Sequence, residues 1–179
     1  LMSGSIATAP AAMRCYHSGC THLRVGIGPG QLCATREKTG IGLPLAYSIA
    51  IIYNHLNSSA EWIMPDKMPK IIADGGIIHS GQAIKYLAAG ADAIMLGSVF
   101  GKALESPGWM GRYVSPDQNE IFTVGSEPQI EYFKEIRGQA SSQFAEEMLG
   151  KQLKHSEGIS KLITWEGDTV QSIIEDYDS

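Results

Sequence analysis

At 179 residues, with 44% hydrophobic and 18% charged positions, the chain has the size and composition of one ordinary globular domain, not of a disordered segment. Fourteen basic residues against nineteen acidic ones give a formal net charge of −5, which excludes nucleic-acid binding through a basic surface. No apolar run approaches the roughly 20 residues that span a bilayer, and no signal peptide is visible.

Three cysteines (Cys15, Cys20 and Cys33) are an odd number and too few for a disulfide framework, so a reducing, cytoplasmic setting is expected. The opening Leu-Met-Ser-Gly-Ser has no initiator Met and reads as a strand already under way. That start suits a fragment, a processed product or the ordered part of something longer.

In chain order, short apolar runs alternate with helical periods. A first strand ends near Ile6, and Pro10–Ser18 reads as a helix stopped by Gly19. Leu23–Ile27 is the second strand, and a long glycine-rich loop follows it. Pro44 opens a helix running to about Leu56, where its missing N–H costs nothing in the first turn. Residues 57–68 form a polar connector. Lys70–Asp74 reads as a strand apolar on both faces, as buried parallel strands are. Ser80 is expected to cap a helix through about Ala89, ended by Gly90, and Ala93–Gly97 is the fourth strand. A last helix spans Thr169 to Tyr177. The stretch 104–166 is too long for a plain connection and reads as an insertion that folds over something.

Strand–helix alternation implies a parallel sheet with right-handed crossovers. Four units make half of an eightfold barrel or most of a doubly wound sheet. In both, ligands gather at the carboxyl ends of the strands. Ser5, the 28–42 loop, Asp74-Gly75-Gly76 and Gly97-Ser98 all fall there, which argues for one shared site.

Each group has a chemistry to offer. Gly28-Pro29-Gly30 permits positive φ and close approach of backbone to an ion, but no Gly-Lys-Ser/Thr follows, so it is not a Walker loop. Asp74-Gly75-Gly76 and Gly97-Ser98 end consecutive strands, where bare amides and a hydroxyl suit phosphate and the carboxylate suits a ribose diol. A tight turn with a capping Asp is the plainer alternative. Cys33 sits on a loop near Arg36 and Lys38, a setting that favours a thiolate nucleophile over inert packing. Cys15, His17, Cys20 and His22 have zinc-like spacing, yet helix-to-strand packing explains them as well. Glu157 lies in the inserted region, where a mobile flap would carry an acid–base group, though its spacing alone marks only a surface glutamate.

Taken together, VGIGPGQLCATREKTGIG, IIADGGI with the AIKYLAAGADAIMLGS that follows, and RGQAS resemble the IMP dehydrogenase/GMP reductase family, in order over nearly the whole chain. The resemblance implies a (β/α)8 TIM barrel, of which residues 1–179 supply the carboxyl-terminal half of one catalytic domain. They would cover roughly strands 5–8, with an inserted flap at about 104–166 before the last helix. It further implies a homotetramer that moves hydride between a nicotinamide cofactor and C2 of a purine nucleotide.

Under the same resemblance, Cys33 is the nucleophile, and Thr35 and Glu157 activate the leaving ammonia or the attacking water. Asp74 holds the ribose hydroxyls, and Gly75, Gly76, Gly97 and Ser98 cradle the phosphate. Gly138, Gln139 and Ser141 meet the purine. Ser5, Thr8 and Arg36 face the cofactor, and the carbonyls of Gly28, Gly30 and Cys33 match a potassium site.

Some positions depart from the pattern. Gln31 and Ile136 stand where the family usually has Ser and Tyr near phosphate, and Gly138-Gln139-Ala140 replaces Gly-Met-Gly or Gly-Met-Ser. The TREKTGIG run, and Phe144-Ala145 where a dehydrogenase carries Arg-Tyr, favour an NADPH-dependent GMP reductase that deaminates GMP to IMP. The alternatives are an NAD-dependent IMP dehydrogenase, or an inactive nucleotide-binding relative or fragment.

Overall fold

The alternation read from the sequence is present in the computed structural model, which describes residues 1–59, 67–107, 110–114, 130–138, 141–150 and 158–178. Strand β1 (Met2–Ile6) leads into helix α1 (Ala9–His17), and β2 (His22–Val25) into the short α2 (Thr35–Thr39) and the long α3 (Leu45–Ser58). Strand β3 (Lys70–Asp74) is followed by α4 (Ser80–Ala88), and β4 (Ala93–Met95) by the single turn α5 (Ser98–Gly101). The strands pair in parallel in the order β1-β2-β3-β4, each beside its sequence neighbour.

The core follows from strand alternation. Leu23, Val25, Ile71 and Ala73 point to one face and are buried against Ala12 of α1 and Ile49, Ile52 and Leu56 of α3. Burying each large aliphatic side chain stabilises the fold by about 1.5–3 kcal/mol. The other face is only half covered. Arg24 on β2 and Ile72 and Asp74 on β3 lie there, so β3 is not buried on both sides as expected.

Several boundaries shift for identifiable reasons. β2 ends at Val25 instead of Ile27, because Gly26 turns with φ +143° against the Asp74 carbonyl. Pro44 is the residue before α3 and not part of its first turn, and the helix runs on through Ser58. His79, not Ser80, precedes α4, where the Gln82 side chain accepts the N–H groups of Ile78 (2.8 Å) and His79 (3.2 Å). Residues 60–66 of the expected connector lie outside the described residues.

Within the expected insertion, β5 (Met110–Val114), β6 (Ile130–Arg137) and β7 (Ser160–Trp165) form an antiparallel sheet in the order β5-β6-β7. Helix α6 (Ser142–Leu149) follows β6, and α7 (Val170–Asp178) closes the described chain. Lys134 of β6 is buried, and its ammonium donates to the carbonyls of Ala103 and Leu104, just beyond α5. That contact ties the antiparallel sheet to the end of the parallel one. Val99, Ala103 and Ile173 form a small second cluster between α5 and α7. Among the described residues, no helix is long and apolar enough to cross a membrane.

Candidate active site

The glycine-rich loop after β2 is built around one side chain. Arg36, in α2, donates from Nε to the Ile27 carbonyl (3.2 Å) and from Nη2 to the Leu43 carbonyl (2.5 Å), so one guanidinium joins both ends of the loop. Its stem runs beside Gly28 and Gly42. A Cβ on Gly28 would stand 2.6 Å from the Arg36 Cγ, and one on Gly42 would stand 2.5 Å from its Nε. Arg36, expected at the cofactor, is therefore engaged with the backbone of its own loop.

Inside the loop, the Cys33 N–H donates to the Gly30 carbonyl at 3.0 Å, and the half-buried thiol donates to the Thr35 hydroxyl at 3.1 Å. The two residues expected to share the chemistry are thus in direct contact.

The ends of β3 and β4 face this loop. Gly75 and Gly76 have φ of +94° and +70°, and they lie directly on the Gly28-Pro29-Gly30 turn. A Cβ on Gly75 would be 2.9 Å from the Pro29 Cγ, and one on Gly76 would be 2.8 Å from the Pro29 carbonyl oxygen. Glycine is required there by both conformation and space.

From the other side, residues beside the antiparallel sheet meet the loop. Cys33 bridges Gly158, the Ile159 N–H donates to the Leu32 carbonyl (3.0 Å), and the Gly138 N–H donates to the Ile159 carbonyl (3.0 Å).

Between these walls lies a cleft of about 340 Å³, lined by Gly30, Cys33, Thr35, Asp74, Gly75, Gly76, Gly97, Ser98 and Gly138 among others. Residues from five separate stretches of the chain converge on one space. Gln31 lines it too, together with Leu32, Ile77 and Met95, whose apolar surface suits a flat ring. An adjoining hollow shares Asp74, Gly97, Ser98 and Gly138 and is closed by Arg24, Ile136 and Arg137. Ile136 is 4% exposed and packs against Gly101.

The other expected residues that the structure describes do not line this cleft. Ser5 accepts a hydrogen bond from Arg24 Nη2 at 2.8 Å, and Thr8 precedes α1, its carbonyl accepting the Ala12 N–H. Ser141 is buried, and its N–H donates to the Gly138 carbonyl at 2.9 Å. Gln139 and Glu157 lie outside the described residues. Cys20 packs in the core, and Cys15 contacts Ser3 at the side of α1.

Arg24 is the residue that sequence reasoning missed. Its Nε stands 3.5 Å from Asp74 Oδ2. A cation between the buried Leu23 and Val25 of a short apolar strand was the available signal. Partial burial pushes the Asp74 carboxyl above its ordinary range, and the neighbouring Arg24 guanidinium opposes that shift.

A sequence profile described as the IMP dehydrogenase / GMP reductase domain matches residues 1–177. The chain belongs to this family. The inosine-5′-monophosphate dehydrogenase of Halalkalibacterium halodurans is 39% identical over 141 residues, covering 79% of this chain and 24% of that protein. The protein of the same name from Streptococcus pyogenes is 44% identical over 108 residues, covering 60% and 20%. The one from Escherichia coli K12 is 37% identical over 126 residues, covering 70% and 24%. The chain spans about a fifth to a quarter of the length of these curated relatives. Its α/β fold, with four parallel strands in sequential order, is consistent with part of the family's barrel.

Proposed function

We propose that the chain carries the nucleotide half of the active site of a purine-nucleotide oxidoreductase, one that oxidises IMP at C2 with NAD as the hydride acceptor. The observation that carries this reading is the single cleft holding Cys33 beside Thr35, opposite Asp74-Gly75-Gly76 and Gly97-Ser98. The choice of dehydrogenase over reductase draws its support from the relatives, which bear the dehydrogenase name. Residues 1–179 then act as the carboxyl-terminal half of one barrel domain, with the 104–166 stretch as its flap. The first half and a homotetrameric assembly complete it.

In this reading the Cys33 sulfur, as thiolate, bonds to C2 of the purine; a nicotinamide cofactor, when bound, would supply the acceptor for the hydride that C2 gives up. Water then cleaves the carbon–sulfur bond, returning the thiol and releasing the oxidised nucleotide. Thr35, hydrogen-bonded to the sulfur, orients it and passes the water's proton, with Glu157 as its partner. Asp74 accepts the ribose hydroxyls. Gly76, Gly97 and Ser98 present N–H groups and a hydroxyl to the phosphate, and Gln31 adds a carboxamide at the cleft wall. Gly138, Gln139 and Ser141 meet the base. Of the residues expected at the cofactor, Ser5 and Thr8 are exposed at the carboxyl end of β1 and suited to meet it. A potassium ion on the Gly28, Gly30 and Cys33 carbonyls would share the Gly30 oxygen with the Cys33 N–H.

One observation favours the reductase. Ala145 is buried in α6, where the dehydrogenase pattern places half of its water-activating pair. A reductase forms the same Cys33 bond and expels ammonia; NADPH, when bound, would supply the hydride to C2, after which the Cys33 sulfur leaves and IMP is released.

Both readings are tested by incubating the protein with IMP and NAD, and separately with GMP and NADPH, while following absorbance at 340 nm. Turnover of the first pair alone is expected, and turnover of the second pair alone would reassign it. Cys33→Ala should abolish turnover while nucleotide binding persists; no turnover by the wild type with either pair would refute the enzymatic reading.

A further inference from the structure

Arg24 lies on β2 between two chemically useful neighbours, one on each adjacent strand. Its guanidinium donates to the Ser5 hydroxyl of β1 at 2.8 Å and stands 3.5 Å from the Asp74 carboxylate of β3. The register permits both contacts, because Arg24 pairs with Gly4 on one side and Ile72 on the other. Gly4 has no side chain, and a Cβ there would come within 2.6 Å of the Arg24 Cβ. The guanidinium carries its positive charge together with several N–H donors, so it can serve both oxygens at once. Asp74 is only partly exposed and so has lost part of its hydration. Among the described residues, the other titratable groups facing the same space are Cys33 on the loop after β2 and Arg137 at the end of β6.

We infer that Arg24 is a positioning residue: it holds the Asp74 carboxylate in place as the acceptor for a ribose diol and links it, through Ser5, to the cofactor side of the site. The inference rests on the reading above, in which Asp74 receives the ribose hydroxyls. Arg24 itself need not touch the nucleotide. Its effect is selective, because only a ligand that carries the diol uses the carboxylate it holds.

The test titrates the protein calorimetrically with IMP and with its 2′,3′-dideoxy counterpart, for wild type, Arg24→Gln and Arg24→Lys, from acid to neutral pH. The wild type is expected to prefer the ribonucleotide. Arg24→Gln is expected to lower the affinity for IMP about tenfold and to leave the dideoxy ligand unaffected. It should also move the acid limit of IMP binding toward neutral pH, since the unaided carboxyl holds its proton longer. Arg24→Lys, which keeps the charge, should retain the preference, and it carries the test if Arg24→Gln does not fold. Equal weakening of both ligands in Arg24→Gln with no movement of the acid limit would overturn the proposal, as would loss of the preference in Arg24→Lys. A wild type that binds both ligands equally would instead remove Asp74 from the diol, and this role of Arg24 with it.

Discussion

Replacing Arg36 by alanine removes the two hydrogen bonds that join Ile27 to Leu43 across the nucleophile loop. Bonds from a charged donor contribute about 1.5–3 kcal/mol each when buried, but these are exposed and water replaces part of them. Together they are worth about 1–2 kcal/mol, a factor of roughly 5–30 in the equilibrium between the closed and the opened loop. The Cys33 amide, bonded to the Gly30 carbonyl, reads that equilibrium directly through hydrogen exchange. Peptides covering 28–42 should lose protection by that factor in Arg36→Ala, while peptides from β3 and α3 keep theirs. A second substitution sharpens the test. Gly28→Ala suffers both its φ of +75° and the clash with the Arg36 stem, so it should cost less in the Arg36→Ala background. Unchanged exchange across 28–42, or a parallel loss in the core, would refute the clamp.

The remaining expectations concern stability. Ser48 is buried in α3 and its hydroxyl has no hydrogen-bond partner among the described residues, so Ser48→Ala should leave the urea midpoint unchanged or raise stability by up to about 1 kcal/mol. Lys134→Met keeps the volume but deserts the carbonyls of Ala103 and Leu104; a loss of about 2 kcal/mol or more is expected in urea unfolding. The Asp74 carboxyl is raised above 3.8 by burial, against the pull of Arg24, so the folded state binds its proton more tightly than the unfolded chain does. The stability from this group is present below 3.8 and is lost as pH rises through the raised folded value. Asp74→Asn should therefore gain on the wild type as pH climbs across that window, and a midpoint difference independent of pH would contradict the assignment.

How much of this was legible beforehand depends on the element. β3 matches its expected bounds because a continuous run of apolar residues ending in Asp-Gly-Gly has one natural reading as a buried strand and its turn. The convergence of Cys33, Thr35, Asp74 and Gly97-Ser98 followed from placing each at a strand's carboxyl end. The antiparallel sheet was missed for a physical reason. In β6 the inward positions include Lys134 beside Ile136, so polarity does not alternate with burial, and the compensating carbonyls are some 30 residues away. The two backbone carbonyls that Arg36 binds were not legible, because they stand nine residues before it and seven after it and only the folded loop brings them to one guanidinium. Arg24 escaped notice because its partners sit on neighbouring strands, and register is not visible in a single run of residues.

The bridge between Cys33 and Gly158, with the neighbouring bond from Ile159 to Leu32, makes the sulfur-bearing turn a shared border of two sheets. Shared borders move together. If the antiparallel sheet swings outward, it must either break these few main-chain bonds or drag the turn with it, and both change the surroundings of the thiol. The reactivity of Cys33 toward a small alkylating reagent is thus a built-in gauge of where the β5–β7 sheet stands. It can be read without any nucleotide, cofactor or turnover.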